Sequence, residues 1–234
     1  MLTDRDLMAL HICALFRMDD RDRLLSSNEP DPPSPPPRLY LGRTTAGNVW
    51  RFHHDLPHDL ARDFASLLRA EPAATDLTQP PHCLEAMRTL LTRHAAMTEV
   101  SMGPAWHFPE HIPPPRHDVI HITPENDTVV RDIFPTLAND LPYSQPCLAI
   151  LHEDRLASIC FSARNTPEAA EAGLETLEPF RGRGFATAVA AAWARAVRQD
   201  GRIPLYSTSW DNLASRSVAR KLGLVQYGAD LSID

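Results

Sequence analysis

Proline is the residue that most constrains how this chain can fold, because it fits neither a helix interior nor a central strand. Of the 22 prolines, 15 precede residue 116 and 7 follow it. Residues 30–37 hold six of them, which predicts an extended connector at the surface. A second cluster, Pro113–Pro115, predicts a domain boundary. The sequence therefore divides into an N-terminal part, residues 1–115, and a C-terminal part, residues 116–234.

Composition excludes several classes of protein. Hydrophobic residues make up 43% of the chain, which is enough to bury a core and argues against disorder. The net charge of −7 disfavours a nucleic-acid binder. The first residues are charged and lack the apolar run of a signal peptide, and no segment reaches the roughly 20 apolar residues that span a bilayer. We therefore expect a cytoplasmic protein that binds neither nucleic acid nor membrane. Its oligomeric state stays open, with a homodimer as one option.

Neither the cysteines nor the histidines predict a metal site. The four cysteines are far apart in sequence and form no C-x-x-C pair, so we expect buried free thiols. They are Cys13, Cys83, Cys147 and Cys160. The histidine-rich stretches 53–58 and 107–111 fit no standard zinc spacing, and Pro109 disfavours a helical pair of ligands in the second. The prediction is that no metal is bound.

The N-terminal part predicts a small α+β accessory domain without a catalytic signature. Apolar residues at helical spacing predict a helix over residues 3–25. Alternating residues in 39–41 and 48–52 predict two strands joined by a glycine-containing turn. Residues 57–70 and 82–96 predict two further helices. The role of this part is not indicated by any motif.

From residue 117 the pattern becomes strand, helix, three strands, helix, strand, helix, strand. This order predicts a mixed α/β sheet. The predicted strands are 117–122, 147–151, 156–161, 172–177, 203–207 and 224–227, and the predicted helices are 126–139, 184–199 and 212–222.

A glycine-containing loop between the fourth of those strands, 172–177, and the long helix 184–199 carries the most chemical information. Gly182 and Gly184 permit unusual φ angles and a close backbone approach. Unpaired N–H groups at a helix N-terminus attract an anion, and Arg181 and Arg183 add charged donors. The loop therefore suits a pyrophosphate. An ordinary strand-to-helix turn with solvated arginines is the alternative interpretation.

This loop resembles the pyrophosphate-binding loop of the GNAT superfamily of acyl-CoA-dependent N-acyltransferases. The family pattern is Gln/Arg-x-x-Gly-x-Gly/Ala, and here Arg181, Gly184 and Ala186 are in register. Two motifs with the right elements between them are more specific than either alone, and a second one follows.

The second motif is an asparagine, a small residue three positions later, and a helix ending in Lys-Leu-Gly. Asn212, Ser215 and Gly223 stand at those offsets. The resemblance covers about residues 117–234. It implies a mixed, mostly antiparallel GNAT-like sheet flanked by helices. The expected activity is transfer of an acetyl group from the cosubstrate acetyl-CoA to an amine of a small molecule or peptide.

The resemblance also implies which residues contact the cofactor. Backbone groups near the end of the strand would pair with the pantetheine arm, the loop would hold the pyrophosphate, and the asparagine and serine would lie near the thioester. Arg216 or Arg220 would reach the nucleotide end, although a solvated helix face explains them equally. The implied contacts are Thr176, Leu177, Arg181, Gly182, Arg183, Gly184, Phe185, Ala186, Thr187, Asn212 and Ser215.

Candidate catalytic residues are Glu175, Glu171 and Ser215. The two glutamates are four residues apart and share a face of the strand, so either could accept the proton of the amine, directly or through a water. Exposed edge carboxylates are the alternative interpretation. Many family members carry a tyrosine seven residues after the asparagine as the acid for the leaving group, but this chain has Ala219 there.

The missing tyrosine leaves the acid open among Ser215, Ser217 and Tyr227. It also favours a second hypothesis, a catalytically silent CoA-binding or regulatory module. A third hypothesis is an interaction protein that uses the proline-rich segment 30–37 and only inherits the fold.

Overall fold

The computed structural model of the chain describes residues 2–30, 32–96 and 99–234. The described strands are β1 (Phe16–Met18), β2 (Leu24–Ser27), β3 (Leu39–Thr44), β4 (Gly47–Phe52), β5 (Val100–His107), β6 (Ile120–His121), β7 (Cys147–His152), β8 (Arg155–Asn165), β9 (Ala169–Thr176), β10 (Ile203–Ser207) and β11 (Val225–Ile233). The helices are α1 (Asp4–Leu15), α2 (His58–Ala70), α3 (Leu84–His94), α4 (Thr128–Arg131), α5 (Pro135–Asn139), α6 (Phe185–Gln199) and α7 (Leu213–Leu222).

Nine strands form one sheet in the order β4-β3-β11-β5-β10-β9-β8-β7-β6, and β1 and β2 form a separate ribbon. Every neighbouring pair in the sheet is antiparallel except β9 and β10, which are parallel. The fold is a mixed α/β sheet, mostly antiparallel and flanked by helices. The predicted fold class is confirmed.

Helices cover both faces of the sheet. On one face α6 and α7 bury residues such as Trp193 and Val218 against Tyr206. On the other face α1 packs Met8 and Ile12 against strands β3, β9 and β11. Side chains alternate along each strand, so a residue of β9 faces either α6 or α1. We call these the α6 side and the α1 side.

Most of the predicted elements of the C-terminal part are present. Two predicted helices, one in each part of the chain, are wrong in extent. The first helix ends at Leu15 rather than residue 25, because Phe16 adopts extended angles and the chain turns at residues 19–23 into the ribbon. The helix predicted over 126–139 is two short helices. Pro135 begins the second one, since proline lacks the N–H that a helix interior requires.

The predicted boundary near residue 115 lies in the loop between β5 and β6. Strands β3 and β4 precede it, yet β3 pairs with β11, and β5 lies between β11 and β10. Strands from both parts therefore share one sheet. The division at residue 115 stays a prediction about which segments fold on their own.

The cysteines form no disulfide among the described residues, and three of the four are buried. Of the helices within the described residues, none combines the length and apolar character that crossing a membrane requires.

Candidate active site

The sheet opens where β9 and β10 separate. The two strands pair only through Ala169–Glu171 and Ile203–Leu205, after which they diverge. α6 follows β9 and α7 follows β10, so both helices begin beside the gap. Between them lies a cleft of about 540 Å³ on the α6 side. We call it the cofactor-side cleft.

Most of the predicted cofactor contacts line this cleft. They are Thr176, Arg181, Gly182, Gly184, Phe185, Ala186, Thr187, Asn212 and Ser215. Leu177 and Arg183 do not line it. The backbone N–H of Leu177 donates to Ala157 instead, which continues the pairing of β9 with β8.

The loop before α6 presents its backbone to solvent. Gly182 has φ +78° and Gly184 has φ +83°, a region that side chains with a Cβ rarely adopt. A Cβ at either position would meet no atom within 4 Å, so the backbone conformation and not crowding demands glycine there. The N–H groups of Gly182–Thr187 donate to no other described residue. Free donors at the positive end of a helix dipole fit a diphosphate.

The two arginines of the loop have different surroundings. The Nε of Arg181 donates to the carbonyl of Thr176 at 3.3 Å, which ties the loop to the end of β9. The guanidinium of Arg183 lies 3.2 Å from Nε2 of His152 and 5.7 Å from the ring centre of Phe180. Arg181 therefore borders the cleft, whereas Arg183 leans toward the turn between β7 and β8.

Asn212 and Ser215 organise the start of α7. The side-chain oxygen of Asn212 accepts a hydrogen bond from the N–H of Ser215 at 3.0 Å, which caps the helix. This contact leaves the hydroxyl of Ser215 free to meet Tyr206, and the two oxygens are 2.6 Å apart. Both residues line the cleft.

Sequence reasoning did not single out Tyr206. It is 2% exposed, and burial raises the pKa of its phenol to about 12. The phenol therefore stays protonated at neutral pH. Ala219, at the position of the family's usual tyrosine, is buried against the core. The sequence did not indicate a role for Tyr206, because its contact with Ser215 forms only when β10 and α7 come together in the fold.

Glu171 lies on the α1 side of β9 and is 4% exposed. The hydroxyl of Ser207 donates to its Oε1 at 2.7 Å, while Oε2 has no hydrogen-bond partner among the described residues. Burial raises the pKa of this carboxyl to about 7. His11 Nε2 is 3.6 Å from Oε2, but burial lowers the pKa of His11 to about 3, so the imidazole is neutral and the contact is not an ion pair.

Glu175 shares the α1-side face with Glu171, as its spacing predicts, but its surroundings differ. The side chain is exposed at the end of the strand, beside Phe134 and Ile159. Its carbonyl accepts a hydrogen bond from Ser158 at 2.9 Å. Of the two glutamates, only Glu171 is held by a protein donor and withdrawn from solvent.

A second hollow of about 310 Å³ opens on the α1 side, at the end of β10. We call it the α1-side pocket. Ser207, the partner of Glu171, is one of its lining residues, and Asp230 is another. The Tyr40 hydroxyl donates to Asp230 Oδ2 at 3.3 Å. Burial raises the pKa of Asp230 to about 7.

Two further predictions concern residues away from the gap. Arg216 donates to the carbonyl of Trp210 at 2.8 Å and its guanidinium lies 5.2 Å from that ring's centre. This side chain is already engaged, whereas Arg220 is exposed. A role for either at the nucleotide end of a cofactor stays a prediction.

Three side chains that can ligate metals come together outside both hollows just described. His53, His54 and Asp55 bring one ligand atom each within 4.8 Å of one another. The two rings stack at 4.4 Å, and Asp55 lies 3.2 Å from His54. His54 and Asp55 are exposed, and these contacts are ordinary for surface groups.

Comparison with known proteins finds one family model that matches within the C-terminal part. The model of the GNAT acetyltransferase family matches residues 147–229, from β7 into β11, a range that includes the whole cofactor-side cleft. None of the curated proteins compared with the sequence matches it.

Solved structures share the fold at low identity. A GNAT-family acetyltransferase from Colwellia psychrerythraea aligns over 92% of this chain and 78% of its own, with a TM-score of 0.51 and 10% identity. A GCN5-related N-acetyltransferase from Kribbella flavida aligns over 99% and 95%, with a TM-score of 0.50 and 12% identity. A GNAT-family protein from Novosphingobium aromaticivorans aligns over 59% and 66%, with a TM-score of 0.50 and 16% identity. The likeness extends over the N-terminal strands in the first two.

Proposed function

We propose that this chain, which contains a GNAT acetyltransferase domain over residues 147–229, transfers an acetyl group from acetyl-CoA directly to the amine of a small molecule or peptide. One observation carries the proposal. The gap between β9 and β10 opens directly after Glu171, a buried, partly unpaired carboxylate on the α1 side, and the anion-binding loop borders the gap on the α6 side. An acyl carrier and an acceptor approaching from opposite faces would meet there.

The residues of the cofactor-side cleft fit the cofactor. The open backbone at Gly182 and Gly184 and the free N–H groups up to Thr187 suit a pyrophosphate, and Arg181 adds positive charge. When bound, acetyl-CoA supplies a thioester: the amine nitrogen bonds to its carbonyl carbon, the C–S bond breaks, and the sulfur leaves as a thiolate. The exposed inner edge of β9 offers backbone groups to the pantetheine arm.

Glu171 is the proposed proton acceptor. An amine must lose a proton as it becomes an amide, and the best base has a pKa near the working pH. The carboxyl of Glu171 meets this condition because burial has raised its pKa to about 7. Ser207 holds Oε1. Oε2, which is buried 3.6 Å from the neutral His11 and has no hydrogen-bond partner among the described residues, would take the proton directly or through a water. Glu175, which is solvated, has no such arrangement.

Ser215 and Tyr206 are the proposed donors to the leaving thiolate. They line the cleft and are hydrogen-bonded to each other, so the cleft offers hydroxyl groups although residue 219 is alanine. A phenol with a pKa of about 12 is a weaker acid than a thiol. The pair therefore stabilises the thiolate by hydrogen bonding, and the proton that completes the thiol comes from solvent.

The absence of a hydroxyl at Ala219 also favours the second candidate, a silent CoA-binding module. The two are separated by incubating the protein with acetyl-CoA and a panel of primary amines, including a peptide. Free thiol and acetylated amine are then measured by a thiol reagent and mass spectrometry.

A transferase releases thiol only when an amine is present and forms one acetylated amine per thiol. Stabilisation by acetyl-CoA without any thiol release would support the silent module. If acetyl-CoA neither stabilises the protein nor is consumed, both candidates are contradicted.

A further inference from the structure

The α1-side pocket is built from polar groups. Eight of its lining residues carry a hydroxyl group, among them Tyr40 and Ser207. A volume of about 310 Å³ is at the small end of the range for small-molecule sites. Such a pocket suits a short polar molecule better than an apolar one.

The charges around the pocket do not balance. Its charged lining residues are Arg164, Asp230 and Asp234. Arg164 forms an ion pair with Glu29, so its positive charge is already compensated. Burial and the nearby Glu99 raise the pKa of Asp234, whereas the nearby Arg38 lowers it.

Among the described residues, Asp230 is the carboxylate left without a positive partner. The Tyr40 hydroxyl donates to it at 3.3 Å, and it also forms a hydrogen bond with the backbone of Gly103. Glu171, the neighbouring carboxylate, likewise has one oxygen without a donor. Two carboxylates withdrawn from water raise each other's pKa. A bound cation would lower the free-energy cost of keeping both of them ionised.

The spacing of these groups sets the length of a ligand that reaches both. Asp230 on β11 lies opposite Gly103 of β5, and Ser207 on β10 lies opposite Ala105 of β5. Two strand spacings across the sheet and two residues along β5 therefore separate them, roughly 12 Å between backbones. Both side chains stand on the α1 side, roughly perpendicular to the sheet. A hydrogen bond of about 2.8 Å at each end leaves roughly 6 Å, which is room for about four or five carbon atoms between two polar ends.

Residues 34–37 of the proline-rich segment form a wall of this pocket. Pro35 and Pro37 line it, and Glu29 anchors the segment by accepting hydrogen bonds from Ser27 at 2.8 Å and Ser34 at 3.0 Å as well as pairing with Arg164. The segment is thus part of the site and not only a connector.

We infer that the α1-side pocket is the acceptor site and that its acceptor is a short aliphatic diamine. One nitrogen lies at Ser207 and Glu171, and the second, as an ammonium ion, lies at Asp230. This inference rests on the proposed function, since Glu171 is the base in both.

A matched pair of amines tests the inference. Putrescine has two amines on four carbons, and n-pentylamine replaces the second ammonium by a methyl group at the same length. We expect kcat/KM for putrescine to exceed that for n-pentylamine by about tenfold or more, the usual scale for a hydrogen bond to a charged group. Asp230→Asn should reduce this preference to about twofold or less.

The control variant is Asp59→Asn, which removes the same charge from an exposed position on α2. It should keep the preference of the wild type. Equal use of both amines by the wild-type protein overturns the inference, even if Asp230→Asn does not fold. A preference that survives in folded Asp230→Asn also overturns it, as does a stronger preference for amino acids or for a peptide.

Failure of the proposed function would look different. If no amine is acetylated, thermal unfolding in the presence of each amine still tests the pocket. Stabilisation by putrescine but not by n-pentylamine, lost in Asp230→Asn, would retain the pocket and contradict the transferase. Equal effects of the two amines would contradict the pocket.

Discussion

The two hollows on opposite faces of the sheet differ in the groups they offer. The cofactor-side cleft presents backbone N–H groups, open glycines and Arg181 at the start of α6. The α1-side pocket presents hydroxyls and the carboxylate of Asp230. The first suits an anion and the second a cation. A single sheet separates them: on β10, Tyr206 lines the first and the next residue, Ser207, lines the second.

This difference explains why two glutamates on one strand face are not equivalent. Glu171 lies at the last paired position of β9 and β10, where the sheet still excludes solvent, and burial raises its pKa. Glu175 lies where the strands have already separated, at the border of the cofactor-side cleft, and is exposed. The opening of the sheet thus creates, within four residues, one carboxylate suited to proton transfer and one that is solvated.

The largest expected effect comes from removing the proposed base. Glu171→Gln should lower kcat by about a hundredfold or more, the scale of general base catalysis. In the wild type kcat/KM should rise with pH through about 7, because only the deprotonated carboxylate accepts a proton. Glu171→Gln should flatten this rise. Initial rates of thiol release with n-pentylamine, which has no second ammonium for Asp230 to bind, measure both effects across pH.

Glu175→Gln is the matched control on the same strand face, and it should change kcat by about twofold or less, as surface substitutions usually do. Asp230→Asn is the control for the pH profile, because its carboxyl also has a pKa raised to about 7. It should retain the rise. A larger loss in Glu175→Gln than in Glu171→Gln would reverse the assignment of the two carboxylates.

A smaller effect is expected on the other side of the gap. Tyr206→Phe removes the hydroxyl that meets Ser215 and should lower kcat about tenfold, with little change in acetyl-CoA affinity, because the pair acts on the leaving thiolate. Ser215→Ala should behave alike, and the double variant should be no worse than either single one. Tyr143→Phe, at a site 65% exposed, is the control. Additive losses, or a loss of affinity alone, would contradict the shared role.

The two hollows also differ in how much of them the sequence reveals. The cofactor-side cleft comes mainly from one continuous stretch, residues 174–221, so local patterns predict it. Short sequence patterns predict its main features: the glycines at positive φ, the capping Asn212 and the alternation of β9. Most of the contacts predicted from these patterns line the cleft.

No short sequence pattern predicts the α1-side pocket. Asp230 meets Tyr40 across 190 residues of sequence, and Glu29 meets Arg164 across 135. Strand β5, which brings β10 and β11 together, was not predicted because Gly103 and Pro104 stand in its middle. A Cβ at residue 103 would lie 1.7 Å from the carbonyl of Thr208, so glycine there serves a close tertiary approach. Contacts of this kind are fixed only by the whole fold.

Thermal unfolding with and without acetyl-CoA tests the central claim most directly, in the wild type, Gly184→Asp and Gly201→Asp. Both glycines have positive φ and open space around the missing Cβ, but Gly201 lies at the opposite end of α6. The backbone strain and the added charge are therefore matched.

Acetyl-CoA at a hundred times its Kd should stabilise the wild type and Gly201→Asp by about 2.7 kcal/mol. It should not stabilise Gly184→Asp, whose carboxylate would occupy the anion site. An undiminished shift in folded Gly184→Asp would contradict the assignment of the cofactor to this loop.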